Sequence, residues 1–104
     1  MLTSTILEPT APERYATAVF AALADPARIR ILGVLAGGQR CVCDINAAVP
    51  MAANVLSYHL RVLREAGLID GNRRGRWIDY RLSDGATQLL CDAVRATGLG
   101  GRDP

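Results

Sequence analysis

The stretch AANVLSYHLRVLREA, residues 52–66, decides the fold that we predict for this chain. At about 100° per residue, a helix over this stretch places three leucines on one face: Leu56, Leu60 and Leu63. Its opposite face carries polar and charged side chains: Asn54, Ser57, Tyr58, Arg61 and Glu65. We therefore expect a helix that buries a leucine stripe and leaves a polar face exposed.

The neighbouring segments predict a helix-turn-helix and a β-hairpin. A short helix over residues 44–49 ends at Pro50, so it is separated from the polar-faced helix by only a tight connection. Beyond that helix, residues 68–69 and 76–82 predict two strands joined around the sequence NRRG at 72–75. The expected hairpin, which we call the wing, therefore has arginines at its tip.

Two further helices precede this region and one follows it. Residues 13–23 have helical apolar spacing, and the Asp-Pro pair at 25–26 begins a second helix. The residues of the second helix that we expect to face inward are Ile29, Leu32 and Leu35. The last helix is expected to be capped by Ser83 or Asp84 and to carry one apolar stripe: Ala86, Leu89, Leu90, Ala93 and Val94. The predicted fold is mainly α with a small β-hairpin, a winged helix-turn-helix.

Length and composition predict one domain. The chain has 104 residues, of which 50% are apolar. We expect a flexible arm over residues 1–12, the domain over 13–97 and a flexible tail over 98–104. With no signal peptide, an odd number of cysteines and no run of about 18 apolar residues, we expect a cytoplasmic protein with reduced thiols and no membrane partner.

Positive charge is concentrated in one third of the chain, although the formal net charge is only +2, which excludes a strongly basic chromatin-type protein. Six arginines lie between residues 61 and 81, against three acidic residues. A positive helix and a positive wing can straddle a groove and its phosphates, whereas the alternative is an ordinary solvated surface. We predict double-stranded DNA as the partner, with these contact residues: Asn54, Ser57, Tyr58, Arg61, Arg64, Arg73, Arg74 and Arg76.

The sequence Cys41-Val42-Cys43-Asp44 is a candidate ion site. Two thiols two residues apart at the start of a helix can reach one ion if the first turn loosens, and the helix end favours thiolate. Thiolates select soft ions such as As(III), Sb(III), Cd(II) and Pb(II). Two alternatives stay open: cysteine as a small apolar residue, and a thiol redox switch, for which this spacing makes a strained disulfide.

Catalysis is not expected from this chain. A cysteine nucleophile needs a base, and the sole histidine, His59, lies nearer the leucine face of its helix, where a packed or capping role and a DNA contact both stay open. There is no P-loop, GxSxG motif or carboxylate pair. A DNA-binding module without a sensor role is a further alternative.

Four stretches together resemble the ArsR/SmtB family of bacterial metal-sensing repressors: ALADPARIRIL at 22–32, CVCDI at 41–45, LSYHLRVLREAGLI at 56–69 and GRWIDYRL at 75–82. The resemblance implies a homodimer formed through the first and last helices. It also implies operator binding that is reversed when As(III) or Sb(III) binds Cys41 and Cys43, with Cd(II) or Pb(II) as the alternative inducers. No ion is implied for folding.

The chain departs from this family at the expected ion site and at the DNA-reading helix. Asn46 stands where arsenic repressors with this motif often have a third cysteine, so the third ligand is open between Cys91 and an external donor. Ala86 and the lack of any later histidine remove the zinc site of the last helix. The family's recognition helix usually begins with polar residues where this chain has Ala52, Ala53 and Val55, which leaves more of the base reading to Ser57, Tyr58 and Arg61.

Overall fold

The computed structural model describes residues 7–99, so residues 1–6 of the expected arm (1–12) and residues 100–104 of the expected tail (98–104) lie outside the described residues. The helices of the described part are α1 (Ala11–Leu23), α2 (Pro26–Leu35), α3 (Val42–Ala48), α4 (Ala53–Glu65) and α5 (Ala86–Ala96). Its strands are β1 (Arg40–Cys41), β2 (Ile69–Arg74) and β3 (Trp77–Leu82). This element order confirms the winged helix-turn-helix fold.

The first two helices begin at side-chain caps. The Thr10 hydroxyl accepts from the Glu13 N–H at 3.2 Å, and the Glu13 carboxylate accepts from the Thr10 N–H at 2.9 Å, so α1 begins two residues earlier than expected. At α2, Oδ1 of Asp25 accepts from the N–H groups of Ala27 at 2.8 Å and Arg28 at 3.4 Å. Desolvation, the largest single influence on Asp25, raises the pKa of its carboxyl, but these N–H groups and nearby positive charge together lower it.

The core is built on the leucine stripe of α4, as predicted. All three leucines of that stripe are at most 1% exposed, and Ile45 and Val49 pack against them from α3 and its end. The prediction for α2 is wrong at Ile29, which is 50% exposed. The inward face of α2 runs through Arg28, Ile31 and Leu35, so Ile29 lies about 100° away from the buried residue before it.

A buried arginine takes the inward position that we had assigned to an apolar residue. Nε of Arg28 donates to the Ala22 carbonyl at 2.7 Å, and its Nη2 donates to the Ala21 carbonyl at 3.1 Å, both at the end of α1. Its Nη1 lies 3.0 Å from Nδ1 of His59 on α4, which must accept because a guanidinium only donates. Arg28 therefore joins three helices, and His59, 8% exposed, has the packed role.

The sheet has three antiparallel strands in the order β1-β3-β2. The sequence did not predict β1, which is two residues long. The wing is longer than expected, because Arg74 still pairs with Trp77 and the connection is only Gly75-Arg76, not residues 72–75. A positive φ of 62° at Gly75 alone fits a type II′ turn, whose first central position favours glycine.

The last helix begins differently from the prediction. Its N-cap is Gly85 and makes no side-chain hydrogen bond, so neither Ser83 nor Asp84 caps it. Asp84 instead accepts from Arg81 at 3.0 Å, and that hydrogen bond lowers the pKa of Asp84. The carboxylate is therefore held at the base of the wing instead of at the helix end.

Helices α1 and α5 pack together away from the main core. Ala16 and Val19 of α1 and Ala93 of α5 form a second buried cluster. The outer side of this pair still exposes Phe20 by 38% and Val94 by 43%. Within residues 7–99, no helix combines the length and the apolar character that a membrane crossing needs.

We expect Arg28→Leu to destabilise the fold by about 3 kcal/mol, because it leaves buried carbonyl oxygens and His59 without their donor. The matched control is Arg30→Leu, two residues along α2 on the exposed side, which we expect to change stability by less than about 0.5 kcal/mol. Urea unfolding followed by circular dichroism measures both. Equal destabilisation in the two variants would contradict the role given to Arg28.

Candidate nucleic-acid interface and cysteine pair

The polar face of α4 is exposed along its length, since the leucine stripe fixes the rotation of the helix. Every predicted contact residue on this helix is exposed: Asn54, Ser57, Tyr58, Arg61 and Arg64. The Arg61 guanidinium carbon lies 5.7 Å from the centre of the Tyr58 ring, within cation–π range. The face thus presents amide, hydroxyl and guanidinium groups, the types that read base edges in a major groove.

The three predicted wing arginines have different surroundings. Nε and Nη2 of Arg74 donate to the two carboxylate oxygens of Asp79 at 2.8 and 3.3 Å. Arg73, on the same strand, and Arg76, in the turn, form no ion pair with any residue in the range 7–99. Within the described residues, the wing therefore carries two arginines without an ion-pair partner, and the third is paired with a buried carboxylate.

A cleft of about 270 Å³ separates α4 from the wing. Ser57 lines it from α4, and Trp77 and Ile78 line it from β3. Trp77 is 50% exposed, which is unusual for so large an apolar side chain. The sequence analysis did not select Trp77, although a lone tryptophan beside a predicted turn is a recognisable signal.

The two cysteines of the CVCD sequence lie where β1 runs into α3. Cys41 is the last residue of β1 and also the N-cap of α3, and it is half-buried. Cys43 lies in the first turn of α3 and is exposed. Both thiols are free, as is the exposed Cys91 on α5.

The donor set fits a soft ion bound by two sulfurs. Thiolates are the donors that soft ions such as As(III) and Sb(III) prefer, and the pair supplies two of them at the start of α3. Within residues 7–99, no three His, Cys, Asp or Glu side chains are grouped to hold an ion, so the structure does not bring Cys91 to the pair. Asn46 is occupied elsewhere, since its amide group donates to the Met51 carbonyl at 3.3 Å and accepts from the Met51 N–H at 3.2 Å.

Asp79 connects the cysteine segment to the wing, and the sequence analysis counted it only as a charge. It is 4% exposed and pairs across the sheet with Cys41. Its carboxylate accepts from Nε2 of Gln39 at 3.3 Å in addition to Arg74. The hydrogen bond from Arg74 outweighs desolvation and holds the pKa of Asp79 below its ordinary value.

Comparison with known proteins places this geometry in a family. The model of the family described as "Bacterial regulatory protein, arsR family" matches residues 25–70, which include α2, α3 and α4. A transcriptional repressor SmtB homolog from Synechocystis is 43% identical over 65 residues, which are 62% of this chain and 49% of that protein. This chain thus spans about half the length of that relative.

Other relatives match over more of their length. An arsenical resistance operon repressor from Bacillus subtilis is 37% identical over 78% of this chain and 83% of its own length. A crystal structure described as that of a possible transcriptional regulator for arsenical resistance has a TM-score of 0.68 and 32% identity, over 76% of this chain and 82% of that one. The fold and these relatives are those of transcriptional regulators and not of enzymes. The chain belongs to the ArsR family of bacterial regulatory proteins.

Proposed function

We propose that this protein is a transcriptional repressor that binds operator DNA and releases it when As(III) or Sb(III) binds Cys41 and Cys43. The observation that carries the proposal is the place of the cysteine pair at the start of α3, the helix whose Ile45 shares one buried core with the leucines of α4. The Bacillus subtilis relative named as an arsenical resistance operon repressor supports the choice of ligand.

The proposed DNA contacts divide between α4 and the wing. Ser57, Tyr58 and Arg61 would read base edges, with Asn54 and Arg64 at the two ends of the same face. Arg73 and Arg76 would contact phosphates, where a free guanidinium contributes most. Arg74 contributes less than we expected from the sequence, because Asp79 compensates its charge.

The proposed assembly is a homodimer through α1 and α5. Each chain leaves Phe20 and Val94 exposed on the outer side of this helix pair, and a second copy would bury them. A dimer presents two copies of α4, which suits two half-sites in successive major grooves. We place its action in the cytoplasm, where thiols stay reduced.

The proposed release step starts at the junction of β1 and α3. In this proposal, binding of both sulfurs to one ion changes the first turn of α3, since Cys41 has extended backbone angles at the N-cap and Cys43 lies within the helix. Ile45 and the hydrogen bonds of Asn46 link α3 to the start of α4. A shift of a few ångströms in α4 is enough to mismatch the half-sites, at a coupling of about 1–3 kcal/mol.

We expect Arg73→Ala and Arg61→Ala to differ in how they weaken DNA binding. Arg73→Ala should weaken binding to all sequences alike and lower the salt slope by about 0.9 for each phosphate that is no longer neutralised. Arg61→Ala should cost about 1–3 kcal/mol on the operator and less on random DNA, because it removes a hydrogen bond to a base. Fluorescence anisotropy across a salt series measures both, with Arg95→Ala on α5 as the control. An unchanged slope in Arg73→Ala would refute the role of the wing in binding phosphates.

We expect Val94→Asp to shift the protein from dimer to monomer, because it puts a charge into the proposed interface. The control is Ile29→Asp, which places the same charge at an equally exposed residue of α2. Sedimentation velocity at micromolar concentration distinguishes the two variants. A parent protein that sediments as a monomer, or a Val94→Asp variant that stays dimeric, would contradict the proposed assembly.

We expect Cys41→Ser and Cys43→Ser to bind the operator normally and to lose release by arsenite, because neither thiol is on the DNA-contacting face. Cys91→Ser should respond nearly as the parent does when glutathione is present. Operator release is titrated with As(III), Sb(III), Cd(II), Pb(II) and Zn(II), and separately with peroxide. Release by Cd(II) or Pb(II) alone, or by peroxide alone, would replace the proposed ligand, and a Cys91→Ser variant that stays bound would make Cys91 a third ligand.

A further inference from the structure

We propose that Arg74 and Asp79 are positioning residues that transmit ion binding at the cysteine pair to the wing. This inference rests on the proposed function, since it describes how the same site acts on DNA by a second route besides α3 and α4. The inference is based on the ion pair between Arg74 on β2 and Asp79 on β3, since the buried Asp79 lies directly opposite Cys41.

The register of the sheet places one residue from each of the three strands in a single row. Cys41 on β1 is the cross-strand partner of Asp79 on β3, and Asp79 is in turn the partner of Asn72 on β2. Directly opposed residues share a face of a sheet, and the residue two positions along a strand is the diagonal neighbour on that face. Arg74 is this diagonal neighbour, so Cys41, Asp79 and Arg74 lie on the same face.

The carboxylate of Asp79 is bonded from both sides. Arg74 reaches it from the outer strand of the wing at 2.8 and 3.3 Å, and Gln39 reaches it from the residue before β1 at 3.3 Å. The Asp79 side chain is 5% exposed, so water replaces a missing donor poorly. The carboxylate is therefore sensitive to any displacement between the β1 segment and the wing.

Cys41 couples this row to the ion site because it belongs to two elements. Its backbone pairs with β3, and it is also the cap of α3. Convergence of the Cys41 and Cys43 sulfurs on one ion changes the first turn of α3 and hence the two-residue pairing of β1. A shift of β1 alters the hydrogen bond from Gln39 to Asp79. Through its ion pair with Arg74, Asp79 then shifts β2, the strand that also carries Arg73.

Arg73 provides the contrast within the wing. It pairs across the hairpin with Ile78, whereas Arg74 pairs with Trp77, so the two neighbouring arginines occupy opposite faces of β2. Arg73 forms no ion pair within residues 7–99. We therefore assign Arg73 to DNA affinity and Arg74 to the response to the ion.

The test compares full-length parent protein with Asp79→Asn and Arg74→Gln, using sodium arsenite as the probe. Arsenite affinity is measured from thiolate absorbance, operator affinity is measured with and without arsenite, and the fluorescence of Trp77, the only tryptophan, reports on the wing. Both variants should bind arsenite within about threefold of the parent, while the loss of operator affinity caused by arsenite should shrink about tenfold. The arsenite-induced change in Trp77 fluorescence should shrink with it.

Two control variants and a urea titration separate transmission from DNA affinity and from folding. Arg73→Gln should lower operator affinity with and without arsenite and keep the ratio between them. Arg74→Lys should restore part of the response, because it keeps the charge but not the two-pronged bond. Arg74 is 69% exposed, so Arg74→Gln decides the question if Asp79→Asn fails to fold in urea titrations.

The outcomes distinguish this inference from the proposed function. A parent protein that does not release DNA with arsenite refutes the proposed function, and this inference with it. If the parent responds, a full arsenite effect in folded Arg74→Gln overturns the inference alone. A loss of arsenite affinity in both variants also overturns it, since the pair would then shape the ion site and not the signal.

Discussion

The burial of three leucines on α4 is the interaction on which the rest of the structure depends. Leu56, Leu60 and Leu63 are removed from water almost completely, and each such burial contributes about 1.5–3 kcal/mol. Because the stripe fixes the rotation of α4 about its axis, it also fixes which side chains face outward. The same interaction that stabilises the fold therefore orients the surface proposed to read DNA.

The sequence predicted the helices and strands whose residues repeat at a regular period, and it missed the features that depend on a single contact. The leucine stripe and the alternation in β3 predicted α4 and the wing, because many residues repeat each signal. Ile29 was misplaced because Arg28 takes the inward position, where it finds three acceptors that lie in other helices. The two residues of β1 carry no period at all, so only the partner strand reveals them.

The candidate site shows the same division. The exposed polar face of α4 and the cysteine pair could be found from residue type and spacing. The different roles of Arg73 and Arg74 could not, since the two are identical in type and adjacent in sequence. Alternation along β2 separates them, and only the cross-strand register identifies Asp79 as the partner of one of them. Charge counting treats Arg73 and Arg74 as two equal contributions, whereas within residues 7–99 only Arg74 is paired with a carboxylate, that of the buried Asp79.

Asn46 stabilises the connection between α3 and α4 at a position where a cysteine would have added a sulfur ligand. Its amide group makes a two-point clamp on Met51, which ties α3 to the residues just ahead of α4. A cysteine there would supply a third sulfur but could not form these two hydrogen bonds. The proposed ion would then be held more tightly, while α3 and α4 would be connected less firmly. With asparagine, an ion at the proposed site would take its third donor from outside, and a tilt of α3 would be passed to the residues ahead of α4 through these two hydrogen bonds. Under the proposed function, this position therefore favours transmission of a change in α3 to α4 over tight retention of the ion.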